Sequence, residues 1–228
     1  METKICVSIG GKNLHETVTQ AVRVGERADV IEIRLDYMDH PVVAPFLAEI
    51  DRPLLFTCRA AWEGGLFRGP EADRITLLLQ AIEENAAYVD LELLAPAQSW
   101  QAVNDAVAAV QKTSSRIICS WHNFIETPGR EELYHILEKM RQSGAAIGKI
   151  VTMADNFCDV LRILGLQEEA ARMNFPLIAF CMGEAGKISR LATTALGGHM
   201  TYCSADDGDA TAPGQLSVET VRKIFANL

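Results

Sequence analysis

Short apolar runs rich in β-branched residues recur along the chain, and amphipathic stretches lie between them. The runs are KICVSIG, VIEIRLD, PLLFTCR, YVDLEL, RIICSWH, IGKIVTMA, PLIAFCMG and MTYCSAD. The helical stretches include LHETVTQAVRVGERA, EADRITLLLQAIEENA, REELYHILEKMRQSG and CDVLRILGLQEEAARM. In the last of them, SVETVRKIFANL, Ser217 stands as N-cap with Glu219 in the first turn. Strands alternating with helices imply a parallel sheet. Eight such units within 228 residues predict a (β/α)8 TIM barrel, read as a single catalytic domain over residues 1–228. An open doubly wound sheet is the alternative, but SIGGKNLHE after the first run lacks the G-x-G-x-x-G phosphate fingerprint.

Within a strand, successive side chains point to opposite faces. In VIEIRLD the apolar Ile31, Ile33 and Leu35 share one face, which packs on the helices, and Glu32, Arg34 and Asp36 share the inward one. By the same parity Asp90 and Glu92, Ser120 and His122, and Lys149 with Ile147 and Val151 point into the barrel, and PLLFTCR ends at Arg59. Barrel interiors are normally filled with branched apolar side chains. Charged groups enclosed together must satisfy one another or form a site that opens at the C-terminal ends of the strands.

Lys149 poses the sharpest question, because lysine is almost never buried without a partner. It is either half of an ion pair with Glu92, Asp90 or Glu32, or an amine that loses its proton and attacks a carbonyl. His122 ends the preceding strand beside it and is a general acid–base candidate. Glu63, in CRAAWEGG after the third strand, is either a solvated loop acid paired with Arg68 or the carboxylate that orients His122. Arg190, in MGEAGKISR, is a surface arginine by default and a clamp for a substrate carboxylate otherwise. SADDGDATAPGQ after the last strand is too long for a simple connection and predicts a lid, with Gly208, Pro213 and Gly214 shaping its path to Gln215.

Composition narrows the classes. The chain is 49% hydrophobic and 22% charged, with a formal net charge of -9, which argues against nucleic-acid or anionic-membrane partners. METKICVSIGG does not have the pattern of a signal peptide, and no run approaches the roughly 18 apolar residues of a membrane span. A cytoplasmic protein is expected. The six cysteines include no C-x-x-C pair and read as buried thiols, and no metal is expected.

Several motifs in order, EIRLD, TCRAAWEGG, SWHNF, GKIVTMADNFCDVLRIL, AFCMGEAGKISR and APGQLS, resemble the type I 3-dehydroquinate dehydratases over essentially the whole chain. The resemblance implies a barrel that dehydrates 3-dehydroquinate to 3-dehydroshikimate, in the shikimate pathway, without metal or cofactor and as a homodimer. It implies that Lys149 forms an imine with the substrate ketone. His122 would move the protons and Glu63 would pair with it. Arg190 and Gln215 would contact the carboxylate, Glu32, Arg34 and Arg59 would line the hydroxyl side of the ring, and Thr211 would touch substrate from the lid. Thr211 stands where a serine is usual, and Asn123 where an aspartate is usual. The alternative activity is that of a Schiff-base aldolase of the barrel type, which would want a glycine-rich phosphate loop near strands seven and eight. Gly197 and Gly198 come before the eighth strand, at the wrong end. A barrel kept only as a scaffold would have no need of lysine, histidine and acid together.

Overall fold

The computed structural model describes residues 4–110, 115–206 and 211–227. Eight strands form one sheet: β1 (Ile5–Ile9), β2 (Val30–Arg34), β3 (Leu54–Thr57), β4 (Tyr88–Glu92), β5 (Arg116–Asn123), β6 (Ile147–Met153), β7 (Leu177–Met182) and β8 (Thr201–Ser204). Neighbours from β1 to β7 pair in parallel, and β8 returns to pair in parallel with β1. This is the expected eight-stranded barrel, with one difference at its seam. Among the described residues no ladder joins β7 to β8. The gap is bridged by a bond from His199 N–H to Leu177 O (2.8 Å) and by the Phe180 and Tyr202 rings, whose centroids are 6.0 Å apart.

The helices are α1 (Leu14–Val24), α2 (Ala44–Glu49), α3 (Glu71–Glu83), α4 (Ala97–Ala109), α5 (Arg130–Gln142), α6 (Phe157–Leu164), α7 (Leu166–Arg172), α8 (Lys187–Ala195) and α9 (Val218–Phe225). Ser217 caps α9 as expected, accepting from Thr220 N–H. The stretch CDVLRILGLQEEAARM is not one helix but two, parted at Gly165. Glycine costs about 1 kcal/mol relative to alanine inside a helix, and the break lets Val160 and Ile163 of α6 and Leu166 and Ala170 of α7 all be buried. No helix among the described residues is long and apolar enough to cross a membrane.

The barrel interior is layered. The inward positions nearest the N-terminal ends of the strands are apolar, with Cys6, Val30, Leu55, Tyr88, Ile118, Ile147, Ile178 and Met200 in one buried cluster. Two residues further along, the inward positions of the first six strands are Ser8, Glu32, Thr57, Asp90, Ser120 and Lys149, all buried. Outward residues such as Ile33, Phe56, Val89 and Leu91 pack into a separate core with the helices. An apolar floor beneath a polar layer leaves the charged groups no water below, so they must pair with one another or face the mouth.

Candidate active site

Lys149 lies in register with Ser120 and is buried, 4% exposed. Its Nζ is 3.5 Å from Asp90 Oδ2, 3.8 Å from Glu32 Oε1 and 4.1 Å from the Tyr202 ring centroid. Glu92, the third acid expected beside it, is taken by arginines instead, 3.1 Å from Arg59 Nη1 and 2.6 Å from Arg74 Nη1. Asp90 also accepts from Ser120 Oγ (2.6 Å) and pairs with Arg59 Nη2 (2.8 Å). Burial opposes its charge, but Arg59 and Lys149 hold its carboxyl below the ordinary range. Glu32 accepts from Ser8 Oγ and from Thr57 Oγ1. Each carboxylate is thus held by other donors, and the amine stands outside the 2.7–2.9 Å typical of tight charged bonds. It is paired yet loosely held, and it faces a cavity.

His122 follows Ser120 on the inner face of β5, one layer nearer the mouth. Its Nδ1 is 2.9 Å from Glu63 Oε1. Glu63 rides on a 3-10 turn, Ala61–Glu63, closed by Gly64 in the left-handed region (φ 76). A Cβ on Gly64 would stand 2.4 Å from the Phe124 ring, which itself stacks on His122 at 6.0 Å between centroids. Burial pushes the Glu63 carboxyl up to about 8, Arg59 opposes, and Glu92 and Asp90 add to the rise. Burial, together with Arg59, Lys149 and Arg34, holds the His122 imidazole well below its ordinary range. Both shifts favour the neutral forms of the two groups. The loop acid is buried rather than solvated, and it stands at hydrogen-bond distance from His122, where a group that orients the imidazole would have to be.

Across the pocket Arg190 is no surface residue but 2% exposed, on α8. Its guanidinium carbon lies 4.6 Å from the Phe180 ring centroid and Nη2 donates to Pro213 O at 3.0 Å. Nε is buried without a partner, and no carboxylate pairs with the group among the described residues. Burial lowers its proton affinity only to about 10, so it stays charged. Nearby, Thr211 N–H and Oγ1 donate to Gln215 Oε1 at 2.8 and 3.2 Å. Residues 207–210 of the expected lid, Gly208 included, lie outside the described residues.

All nine residues singled out from the sequence, Glu32, Arg34, Arg59, Glu63, His122, Lys149, Arg190, Thr211 and Gln215, line this one pocket. Arg34 is fixed by a fork to Asp36 at 2.9 and 2.7 Å. Ser8, Phe124 and Tyr202 also line the pocket and were not singled out. Strand parity applied to β1 and β8, as it was to β2, finds Ser8 and Tyr202. Phe124 carries no such signal, since it lies beyond the end of β5. Asn123 turns its Oδ1 to the N–H groups of Ile125 (2.9 Å) and Glu126 (3.0 Å). An aspartate would accept the same two bonds, so the exchange preserves the turn and removes a charge.

The profile of the family described as Type I 3-dehydroquinase matches residues 5–228. The chain belongs to the type I 3-dehydroquinase family. A 3-dehydroquinate dehydratase of Desulfotalea psychrophila is 45% identical over 223 residues, covering 98% of this chain and 97% of that one. The crystal structure of 3-dehydroquinate dehydratase from Geobacillus kaustophilus superposes with a TM-score of 0.91 at 29% identity, covering 100% of this chain and 91% of that one. The type I enzyme from Clostridium difficile, solved with covalently modified comenic acid, gives a TM-score of 0.88 at 30% identity, covering 99% and 91%.

As a type I 3-dehydroquinase the protein is a lyase that takes water from 3-dehydroquinate in the shikimate pathway, by the Schiff-base route of that family. The aldolase alternative falls away with this result. The glycine pair that would have had to cradle a phosphate is at the far end of the barrel. There a Cβ on Gly198 would stand 2.6 Å from Thr193 O.

Proposed function

We propose that Lys149 is the amine that condenses with the ketone of 3-dehydroquinate and that His122 is the acid–base that completes the elimination. The observation that carries this is the pairing of Lys149, loosely held at 3.5 and 3.8 Å from two carboxylates, with the His122 imidazole one layer above it in the same pocket. The amine adds to the ketone and water leaves, forming a protonated imine. That imine is an electron sink, so the carbon beside it gives its proton to His122 and the pair of electrons becomes an enamine. The enamine expels the β-hydroxyl, which takes the proton back from the imidazolium and departs as water. Hydrolysis of the conjugated imine returns the amine and frees the enone.

Glu63 orients His122. When ionised it accepts from Nδ1–H and leaves the Nε2 lone pair free for the substrate proton. Arg190, a buried cation with no carboxylate of its own, takes the substrate carboxylate together with Gln215. Glu32, Arg34 and Arg59 face the ring hydroxyls, and Thr211 joins Gln215 when the lid closes. We further propose a single catalytic domain over residues 1–228, working in the cytoplasm as a homodimer. In support, the six cysteines are free thiols, and Phe157, Leu161 and Ile188 leave apolar surface exposed on α6 and α8. The test of the chemical roles is to incubate His122→Ala with substrate. Intact mass should show the imine accumulating while the ultraviolet absorbance of the enone stays flat. Enone formation at the parent rate would remove His122 from its role.

A further inference from the structure

Outside the pocket, on the outer helix α3, Arg74 is completely buried at 0% exposure. Its Nε and Nη2 fork onto Glu71 at 2.9 and 2.8 Å, while Nη1 donates to Cys58 O (3.0 Å) and to Glu92 Oε2 (2.6 Å). The other oxygen of Glu92 accepts from Ala60 N–H at 3.2 Å and lies 3.1 Å from Arg59 Nη1. Glu92 is therefore shared between two arginines. Arg59 in turn is shared between Glu92 and Asp90, and Asp90 faces Lys149. Charges alternate without a gap from the helix layer to the amine: Glu71, Arg74, Glu92, Arg59, Asp90, Lys149.

We infer that Arg74 is a positioning residue for the reaction: by neutralising Glu92 it keeps Arg59 on Asp90, and so sets how firmly Asp90 holds the Lys149 proton. The inference rests on the reading of Lys149 as the nucleophile. Buried charges respond strongly to the loss of one partner, because no solvent replaces it. Without Arg74, Glu92 keeps Arg59 as its one cationic neighbour and draws it away from Asp90. Asp90 then turns its uncompensated charge on the Lys149 ammonium, and more hydroxide is needed to free the amine for attack. Without the Glu92 charge the opposite follows, since Arg59 settles wholly on Asp90.

The groups facing Lys149 are Asp90 from β4, Glu32 from β2, Tyr202 from β8 and the Cys6 thiol from β1. His122, from β5, lies near the amine as well, Arg59, beyond β3, meets it through the Asp90 that both pair with, and the inward residues of β7, Ile178 and Phe180, carry no charge. Of these, Arg59 and Asp90 are the two that the chain from Arg74 reaches directly.

The test is the pH profile of 3-dehydroquinate-dependent inactivation by borohydride, measured as the initial rate of adduct formation on the full chain. Arg74→Met is expected to move the rising limb by about one pH unit or more to the alkaline side, the size of effect one opposite charge exerts at close range. At neutral pH the rate should fall about tenfold. Glu92→Gln, which keeps an acceptor for Ala60 N–H, should move the limb the other way, and the double variant should return it toward the parent. Arg74→Lys keeps the charge and should keep the profile while lowering the melting temperature. Profiles of Arg74→Met and Glu92→Gln that superimpose on the parent, whatever their stability, would overturn the inference and leave Arg74 a structural pin for α3. Should Arg74→Met fail to fold, Glu92→Gln alone decides by the direction of its displacement. Absence of any adduct in the parent overturns the reading of Lys149 itself, and the inference with it.

Discussion

The two cations that face each other across the pocket, Lys149 and Arg190, are buried to the same degree and treated in opposite ways. Lys149 stands between two carboxylates and over an aromatic ring. Arg190 has a ring and one backbone carbonyl, an orphaned Nε, and no carboxylate among the described residues. A charge that the protein balances for itself is free to change during a reaction without leaving a buried counter-ion stranded, because Asp90 and Glu32 each keep other donors. A charge that the protein leaves unbalanced is completed only by an incoming anion. The difference separates the chemical half of the pocket from the binding half.

Substitutions break that comparison with graded effects. The largest belongs to Lys149→Ala, which should abolish measurable turnover while circular dichroism shows the barrel intact. His122→Ala should lower turnover by roughly 100- to 10,000-fold, as loss of one general acid–base does, with binding of substrate little changed by calorimetry. On the binding half, Arg190→Ala should raise KM by roughly 100-fold with a smaller change in kcat, since a charged contact is worth about 1.5–3 kcal/mol. A variant in which kcat falls and KM holds would assign Arg190 to the chemistry and erase the distinction.

Glu63→Gln tests the acid–base pair. Burial pushes the Glu63 carboxyl up to about 8, and while protonated it donates to Nδ1 and leaves Nε2 carrying hydrogen, the wrong tautomer for a base. Activity should therefore rise as pH passes through about 8, and this limb should vanish in Glu63→Gln, whose turnover falls less than that of His122→Ala. Stability runs the other way. Between the ordinary value of 4.5 and about 8 the unfolded chain has lost this proton and the folded chain has kept it, so stability declines as pH rises through that window. Thermal melts of Glu63→Gln should lack that decline. Smallest of all, Gln215→Ala removes one neutral contact and should raise KM by no more than about tenfold.

Much of this site is legible in the sequence because the barrel turns parity into position. Once VIEIRLD is read as a strand with Ile31 and Ile33 outward, Glu32 and Arg34 must point in, and the same rule brings Asp90, Ser120, His122 and Lys149 to the same interior. What stayed hidden depended on distances that no period encodes. Glu92 pairs with Arg59 and with Arg74, which reaches it from a helix 18 positions before, and nothing in EADRITLLLQ marks that arginine as buried. The upward shift of the Glu63 carboxyl depends on a 3-10 turn that buries it beside Glu92 and Asp90. The split at Gly165 depends on the sheet surface that both halves of the helix must cover, and α2, with 6 residues, is too short to show a period.

The most direct test of the central claim is to reduce the enzyme with borohydride in the presence of 3-dehydroquinate, digest it, and locate the adduct by mass spectrometry. Inactivation should depend on substrate, with one reduced adduct on the peptide that carries Lys149. An adduct on Lys187 or Lys12, or an enzyme that keeps its activity through the treatment, would contradict it.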